Sequence, residues 1–520
     1  MMSYKQIDPF SVSRNIESIA QQAYEELRPF FEPKGIAVIG ASRDPWSVGW
    51  VIFKNFVENE EKGKLKAKVY GVNIKGGELF GRKLYKSILE IPGEVDHAVI
   101  CIPARFVPQV VDECGRKGVK VLTIITAGFS EIGNVELENQ VVETAKKYGM
   151  RIIGPNGLGV FDNYSGVDTQ FVPELKKYED KMMLATPRPK PGNILFASQS
   201  GALGIAILDA LYGANIGIAK FISYGNKVDV DETDMLLWAY KDPKIDVIML
   251  YIEGIKQAGR HFVEVGAEVS KIKPIVVLKG GRTAAGARAA ASHTGSLAGD
   301  YRMYEIAFKK MGAIVCETLD EFIDTVKAFS MQPPAPGYNL TIITDGGGAG
   351  LLATDAAERY GLKVNPPSEE LMERFKKGIK EGKLVPFATF SNPIDVTGSA
   401  DDESFVYTLE AVLADKNTDC ILIIGLHHVP GVTDKLPEKL LETIKRSNIL
   451  KPVVFCDVGG AEYALRFRDK FEMAGIPAYP TPERAAAVLK KLADYGVWLK
   501  KKGVYESFIE KWRSRRQLSA

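Results

Sequence analysis

One histidine lies in a run of small side chains that suits phosphoryl chemistry better than packing. The run extends from Gly280 to Ser296, reads GGRTAAGARAAASHTGS, and places His293 after two arginines. A core histidine would need bulky apolar neighbours, and a histidine that binds a metal would need companion ligands. An imidazole can attack phosphorus when a carboxylate holds its other ring nitrogen. We therefore predict a loop that leaves His293 free to approach a reactive phosphate.

A carboxylate that could hold this imidazole follows an apolar run. Glu253 stands in YIEG, directly after the predicted strand Val247–Ile252. The carboxyl ends of parallel strands are where open α/β sheets bind their ligands. Glu253 is therefore a candidate to orient His293, although a surface acid that caps a helix would give the same pattern.

A helix start in the motif SQSGALG is the third candidate. Two hydroxyls and consecutive N–H groups at the positive end of a helix suit a phosphoryl group. A serine before a helix is also ordinary N-capping, so the motif alone favours function and fold equally. The candidate residues, here called the phosphate seat, are Ser198, Gln199, Ser200 and Gly201.

A loop near the N-terminus resembles a dinucleotide fingerprint but lacks G-x-G-x-x-G. The next strand ends at Asn73, with Lys75 beyond it, where an NAD site would place an acidic residue. A cation in that place favours a nucleotide with an extra ribose phosphate, such as coenzyme A, and a helix start without a ligand is the alternative. The candidates in this loop and in loops after later strands are Gly40, Ala41, Ser42, Pro103, Ala127, Gly128 and Asn156.

The elements that must position these residues alternate regularly along the chain. Short β-branched runs followed by helical patterns predict βαβ units and parallel sheets. Segments 193–209 and 339–355 share a strand, a small-residue loop and an Ala/Leu-rich helix, which indicates related folds. We predict an α/β protein with a Rossmann-like N-terminal domain and two flavodoxin-like domains. The predicted parts are an extension at 1–28, domains at 29–175, 190–331 and 338–500, and a basic helix at 501–520.

Composition excludes several classes of function. Basic and acidic residues number 67 and 65, so no overall field attracts nucleic acid or an acidic membrane. No apolar stretch reaches the roughly 18 residues of a membrane helix, and the N-terminus lacks a signal-peptide core. The scattered cysteines and histidines show no spacing typical of a zinc site or a disulfide framework. We expect a cytoplasmic protein without a structural metal.

In chain order, the motifs resemble those of the alpha subunits of nucleoside-diphosphate-forming acyl-CoA synthetases and, more distantly, of succinyl-CoA synthetase. The resemblance covers about residues 25–500 and rests on VIGASRDPWSVG, TAGFSE, GPNGLGV, SQSGALG, YIEG, ASHTGSLAG and SNPIDVTG. It implies a CoA-binding first domain, a phosphohistidine at His293 stabilised by Glu253, and phosphate binding at residues 198–201. The chain departs from the family at two positions, since members commonly have Pro where it has Ile74 and Cys where it has Gly157. These departures affect what the resemblance implies for the acyl and thiol pocket.

The resemblance implies an acid–thiol ligase that forms acyl-CoA, ADP and phosphate from an acid, CoA and ATP. The sequence has no Walker A motif and nothing like the ATP-grasp part that completes the reaction in relatives. The resemblance therefore implies an ATP-grasp beta subunit in a heterotetramer, with ADP or ATP and Mg²⁺ on that partner. The alternatives are a non-catalytic CoA-binding or CoA-sensing protein, which would not need His293, and an NAD-dependent dehydrogenase, which Asn73 disfavours.

Overall fold

The computed structural model describes residues 7–255, 258–294 and 300–517, and for 290–294 and 516–517 it describes only the backbone. Contacts divide the chain into two units, Met1–Glu317 and Thr318–Ala520, here called unit one and unit two. Within the described ranges, every helix is too short or too polar to cross a membrane.

The first sheet of unit one follows the doubly wound plan. Its strands are β1 Gly35–Ile39, β2 Lys68–Val72, β3 Gly77–Leu79, β4 Arg82–Tyr85, β5 His97–Ile100, β6 Val121–Ile124 and β7 Arg151–Ile153. Its order is β3-β4-β2-β1-β5-β6-β7, and only β3 is antiparallel to its neighbour. Without β3, this is the Rossmann order, whose ligand crevice opens between β1 and β5. The helices before and within this sheet are α1 Val12–Phe31, α2 Val48–Glu61, α3 Val107–Lys117 and α4 Val135–Tyr148.

The second sheet of unit one has the flavodoxin-like order. The strands are β8 Gly159–Asp162, β9 Leu175–Tyr178, β10 Lys181–Leu184, β11 Pro191–Ser198, β12 Ile218–Ser223, β13 Val247–Ile252, β14 Ile275–Lys279 and β15 Ile314–Cys316. Their order is β15-β14-β13-β11-β12-β8, with β8 antiparallel at the edge and β9 and β10 forming a separate hairpin. The switch point therefore lies between β11 and β13. The helices are α5 Gly201–Gly213, α6 Glu232–Lys241, α7 Gly259–Val269, α8 Ala284–Thr294 and α9 Tyr301–Met311.

Helix α1 packs on the second sheet's helices α6 and α7, although it precedes the first sheet in the chain. Its buried side chains recur at helical spacing, and Tyr24 stacks on Trp238 of α6 with ring centroids 4.3 Å apart. Arg151 on β7 forms ion pairs with Glu26 of α1 and Asp234 of α6, at 2.9 and 2.7 Å. The predicted limits at 28 and 175 therefore do not coincide with the limits of the sheets, because α1 and β8 both join the second one.

Unit two contains the third sheet, which repeats the flavodoxin-like order. Its strands are β16 Leu340–Thr344, β17 Thr389–Phe390, β18 Ile394–Asp395, β19 Cys420–Ile424, β20 Val453–Cys456 and β21 Ala478–Tyr479. Their order is β17-β18-β16-β19-β20-β21. The second and third sheets thus share a strand order, as their matching segments predict. The helices are α10 Leu319–Met331, α11 Gly347–Tyr360, α12 Glu369–Lys380, α13 Asp402–Ala414, α14 Leu436–Ser447, α15 Glu462–Met473, α16 Pro482–Lys501 and α17 Tyr505–Gln517. Helix α10 belongs to unit two.

Candidate active site

The carboxyl edge of the first sheet and the start of α5 face one open cleft of about 720 Å³. Residues 101–102 and 126–127, which follow β5 and β6, line it from the first sheet. Residues 199–202 and 225–226 line it from the second sheet. The ligand-binding edges of two α/β sheets therefore open into a single space.

The loop after β1 approaches β5 closely. Gly40 has a φ of 104°, and a Cβ there would lie 2.4 Å from the carbonyl oxygen of Cys101, so only glycine fits. The Asn73 side-chain amide donates to the carbonyl oxygen of Ala41 at 2.8 Å, and its oxygen accepts from the Lys75 N–H at 3.0 Å. Asn73 thus braces the loop, while the Lys75 side chain is exposed.

Arg43 is a second cation beside this loop, which the sequence analysis does not single out. Its guanidinium donates to the carbonyl oxygens of Gly76 at 2.6 Å and Glu78 at 3.3 Å. Gly76 lies in the connection between β2 and β3 and Glu78 lies in β3, so their proximity to Arg43 depends on the fold. The exposed arginine adds positive charge where the extra phosphate is expected.

The candidate cofactor residues divide between the cleft and its surroundings. Ala127 and Asn156 line the cleft, and the Asn156 amide donates to the side-chain oxygen of Asn226 at 3.3 Å. Pro103 and Gly128 adjoin lining residues but are not among them. The loop residues Gly40, Ala41 and Ser42, together with Asn73 and Lys75, also lie outside the lining of this cleft.

Asn226 lines the cleft and is held by two glutamates behind it, a contact that single motifs do not reveal. The Asn226 amide donates to Glu131 at 2.6 Å and to Glu138 at 2.8 Å. Burial raises the pKa of Glu131, but hydrogen bonds from Asn226 and from the backbone of Gly128 and Phe129 outweigh burial and lower it. The motif TAGFSE thus meets the loop after β12 here.

The two serines of the phosphate seat shape the turn that starts α5. Ser198 Oγ donates to the carbonyl oxygen of Ser200 at 2.7 Å and accepts from its N–H at 3.2 Å. Ser200 Oγ accepts from the Leu203 N–H at 3.3 Å as the N-cap. Since the first N–H groups of a helix have no partner within it, the start of α5 suits an anion in the cleft.

Gln199 links the phosphate seat to Glu253. Its side-chain oxygen accepts from the N–H groups of Glu253 at 2.8 Å and Gly254 at 3.0 Å. The Gln199 side chain thus holds the backbone after β13, and its candidate role at the phosphate seat stays a prediction. Gln199 also lines the cleft, so it lies between the two candidate sites.

Glu253 is buried and is not a surface acid that caps a helix. The Lys279 ammonium donates to its carbonyl oxygen at 2.7 Å, and Lys227 donates to the carbonyl oxygen of Gly254 at 2.7 Å. Burial raises the pKa of the Tyr251 hydroxyl, and a hydrogen bond with Glu253 raises it further. Burial lowers the pKa of Lys279 to about 8, although the charge of Glu253 opposes this shift.

The segment that carries His293 is helical where a loop is expected. Helix α8 extends from Ala284 to Thr294, and alanine is the strongest helix former, so the loop prediction is wrong for these residues. The His293 side chain lies outside the described part of the chain. The segment leaves β14, which pairs with β13 so that Lys279 lies beside Ile252. It therefore begins on the strand next to the one that ends at Glu253.

Comparison with known proteins identifies the family. Family models match residues 34–162 as a CoA binding domain, 191–329 as a succinyl-CoA ligase like flavodoxin domain and 340–500 as a ligase-CoA domain. The alpha subunit of ADP-forming acetate–CoA ligase I from Pyrococcus furiosus is 44% identical over 91% of this chain and 98% of its own length. The chain belongs to the ADP-forming acetate–CoA ligase alpha subunits. The sequence-based predictions of family and fold class are thus confirmed.

Two further members extend the comparison. The acetyl-coenzyme A synthetase 1 of Candidatus Korarchaeum cryptofilum, solved with phosphate and ADP, has a TM-score of 0.82 and 39% identity over 92% of this chain and 98% of that one. An ADP-forming acetate–CoA ligase from Methanocaldococcus jannaschii is 38% identical over 93% of this chain but only 65% of its own length. Some members of the family therefore carry a further part in the same chain.

Proposed function

We propose that this chain is the alpha subunit of an ADP-forming acyl-CoA synthetase, which interconverts acid, CoA and ATP with acyl-CoA, ADP and phosphate. The observation that carries the proposal is the cleft of unit one, because it joins the carboxyl edge of the first sheet to the phosphate seat. A thioester bound by the first sheet and a phosphate bound at the start of α5 would meet in it. The names of the relatives support the same reaction.

In the direction of ATP formation, the first step makes an acyl phosphate. A phosphate oxygen attacks the thioester carbon, the carbon–sulfur bond breaks, and CoA leaves as a thiol after taking up a proton. The N–H groups at the start of α5 would hold the phosphate oxygens and favour their negative charge. Asn226, which Glu131 holds in place, would border the reacting group.

The second step transfers the phosphoryl group to His293. One ring nitrogen attacks phosphorus, the bond from phosphorus to the acyl oxygen breaks, and the carboxylate leaves. Glu253 would accept a hydrogen bond from the other ring nitrogen and stabilise the positive charge that develops on the imidazole. An oxygen of ADP then attacks phosphorus, the phosphorus–nitrogen bond breaks, and ATP forms.

We propose that an ATP-grasp beta subunit binds the nucleotide and Mg²⁺ and completes a heterotetramer with this chain. The Pyrococcus furiosus relative is named a subunit alpha, and this chain spans 65% of the longer Methanocaldococcus jannaschii relative. Both facts support the proposal that a further part of the enzyme lies on a partner chain. A cytoplasmic location stays a prediction.

We propose that coenzyme A lies along the carboxyl edge of the first sheet. Gly40, Ala41 and Ser42 would contact its phosphates through the loop and the start of α2, and Lys75 would contact the ribose phosphate. Asn73 would hold the loop in place. The reactive end of the cofactor would enter the cleft past the remaining candidates, Pro103, Ala127, Gly128 and Asn156.

Reconstitution with an ATP-grasp beta subunit tests the function. The complex, given a panel of acyl-CoA thioesters with ADP and phosphate, should make ATP and acquire acid-labile, base-stable phosphate on this chain. The purified chain alone should bind CoA without making ATP. CoA binding by a complex that turns over no thioester would favour the non-catalytic CoA-binding protein. Sustained ATP formation by the chain alone would reveal a nucleotide site in it.

A further inference from the structure

Four hydrogen bonds clamp the backbone of Glu253 and Gly254. The Gln199 oxygen accepts from both N–H groups, and the ammoniums of Lys227 and Lys279 donate to the two carbonyl oxygens, each at 2.7 Å. The three clamping side chains follow or end three different strands, β11, β12 and β14. Both strands that flank β13, together with the loop after β12, thus contribute to holding Glu253.

The two lysines of this clamp differ in how their charges are balanced. Lys227 forms an ion pair with the carboxylate of Glu232 at 2.6 Å. Lys279 donates to carbonyl oxygens, and its charge and that of Glu253 attract each other through space. A buried carboxylate is stable in its charged form only with a compensating charge or hydrogen bonds. Lys279 is therefore placed to act as the counter-ion of Glu253.

The same ammonium reaches the start of the segment that carries His293. Lys279 also donates to the carbonyl oxygen of Gly280, the first residue after β14. Residues 280–283 connect β14 to α8, and Gly281 in this connection has a φ of 75°. One side chain thus joins the backbone of Glu253 to the connection that leads to the histidine.

We infer that Lys279 is a positioning residue for phosphoryl transfer to His293. It balances the charge of Glu253 and holds the backbone of that residue relative to the connection between β14 and α8. The inference rests on the proposed function and adds to it a residue that touches neither the phosphate nor CoA. Without the Lys279 charge, the buried carboxylate would repel the phosphoryl dianion that it should help to place.

The groups around Lys279 set its response to pH. The charge of Glu253 acts on it from the end of β13 and that of Lys227 from the loop after β12, and the Tyr304 ring of α9 lies 4.6 Å from its ammonium. The Tyr251 hydroxyl lies beside the adjoining Gly280. Because burial lowers the pKa of Lys279 to about 8, its charge is present below that pH and is lost as the pH rises through it. An arginine at this position would keep its charge throughout.

The test uses the complete enzyme with Lys279→Met and Lys279→Arg. In Lys279→Met, formation of the phosphohistidine should slow about 10- to 100-fold, as misplaced catalytic groups do, while the KM for CoA changes less than about threefold. Lys279→Arg should restore most of the rate at pH 7. Its rate should also lack the fall near pH 8 that we expect for the unmodified enzyme.

A second buried lysine, just before the same strand, provides the matched control. Lys273, before β14, also donates to two carbonyl oxygens, those of Ala239 and Asp242. Lys273→Met should destabilise the fold comparably while leaving the rate of phosphorylation and its pH profile unchanged. Equal losses of rate in both variants would reduce Lys279 to a structural role.

Removing the carboxylate separates charge balance from packing. In a Glu253→Gln background, Lys279→Met should slow phosphorylation much less than it does alone, because no buried charge then needs a counter-ion. Additive effects would overturn the inference. If the unmodified complex forms no phosphohistidine, the proposed function fails; normal labelling in Lys279→Met contradicts only the role of Lys279.

Discussion

The second and third sheets use the same turn to start a helix. After β11, Ser198 Oγ donates to the Ser200 carbonyl oxygen at 2.7 Å and accepts from its N–H at 3.2 Å. After β16, Thr344 Oγ1 makes the same two contacts with Gly346, at 3.0 and 3.1 Å. A hydroxyl therefore closes the turn before α5 in one unit and before α11 in the other.

The middle residue of each turn accepts backbone N–H groups from a neighbouring strand end, but through a different side-chain group. Gln199 accepts backbone N–H groups after β13 through a neutral amide, as described above. Asp345 accepts the Leu426 N–H after β19 through its carboxylate, at 3.1 and 3.0 Å. The two sheets thus join their central strands by equivalent hydrogen bonds.

The charges near the two turns differ. In the second sheet, Lys227 and Lys279 hold the backbone that Gln199 contacts, and the carboxylates of Glu232 and Glu253 balance them. In the third sheet, burial raises the pKa of Asp345 to about 7, and Asp395 and Asp457 raise it further. The same strand order thus places a helix start suited to anions in both sheets, at α5 and at α11. The side-chain charges favour phosphate at the start of α5.

The strongest test of this difference removes one histidine from each unit. His427 in unit two is held by a carboxylate as a phosphohistidine would be, with Nδ1 2.9 Å from both oxygens of Asp457. His293→Ala should lower turnover and phosphate labelling of the complex by at least about 10³-fold, because the nucleophile is lost. His427→Ala should still be labelled. Labelling that survives in His293→Ala and disappears in His427→Ala would show that His427, and not His293, is the phosphorylated residue.

Placing the acid of the third sheet in the second should have the next largest effect. In Gln199→Glu, the carboxylate can still accept from Glu253 and Gly254, so the backbone stays in place. Its negative charge should lower the rate of phosphohistidine formation about 10- to 100-fold by repelling phosphate. Thermal unfolding of the same variant checks that the fold is intact. A normal labelling rate would show that charge at this position does not separate the two sheets.

The reverse substitution should stabilise unit two. The raised pKa of Asp345 means that the unfolded chain ionises near pH 4 but the folded chain only near 7, so stability is lost as the pH rises between those values. Asp345→Asn should therefore increase the free energy of unfolding at pH 8 by roughly 1–3 kcal/mol. Near pH 4 it should change little, as urea unfolding at the two pH values would show. An equal change in the free energy of unfolding at both pH values would contradict the raised pKa of Asp345.

The smallest expected effect concerns the first sheet, which should share with the second sheet a preference for anions. Lys75→Ala should weaken CoA binding about three- to tenfold, because one charge-assisted contact is lost, and should leave dephospho-CoA binding unchanged. Calorimetry measures both. Lys62→Ala, exposed and paired with Glu58 at the last turn of α2, is the control. Tighter binding of NAD than of CoA would remove the cofactor assignment.

The sequence predicts the elements well because each is encoded locally. The strand expected at Val247–Ile252 and the helix start expected in SQSGALG are found as β13 and α5. The strand patterns likewise predict parallel sheets, and the motif order predicts the family. Local patterns suffice wherever apolar spacing and capping residues determine the element.

Contacts between distant segments are what the sequence does not reveal. The clamp on Glu253 needs Gln199, Lys227 and Lys279 from three strands, and no spacing along the chain relates them. In the segment that carries His293, the glycines indicate a loop, whereas alanine favours a helix. Helix propensity prevails through residue 294. Asn226 looks like a turn residue until the fold brings Glu131 to it.

The packing of α1 on α6 has a consequence for the order in which the protein is made. The ribosome completes α1 first, but Trp238, on which Tyr24 stacks, emerges only after the entire first sheet. At ordinary rates of translation, the apolar face of α1 stays without its final partner on the order of tens of seconds. Nascent chains of this protein should therefore need chaperone protection at the N-terminus until α6 is synthesised.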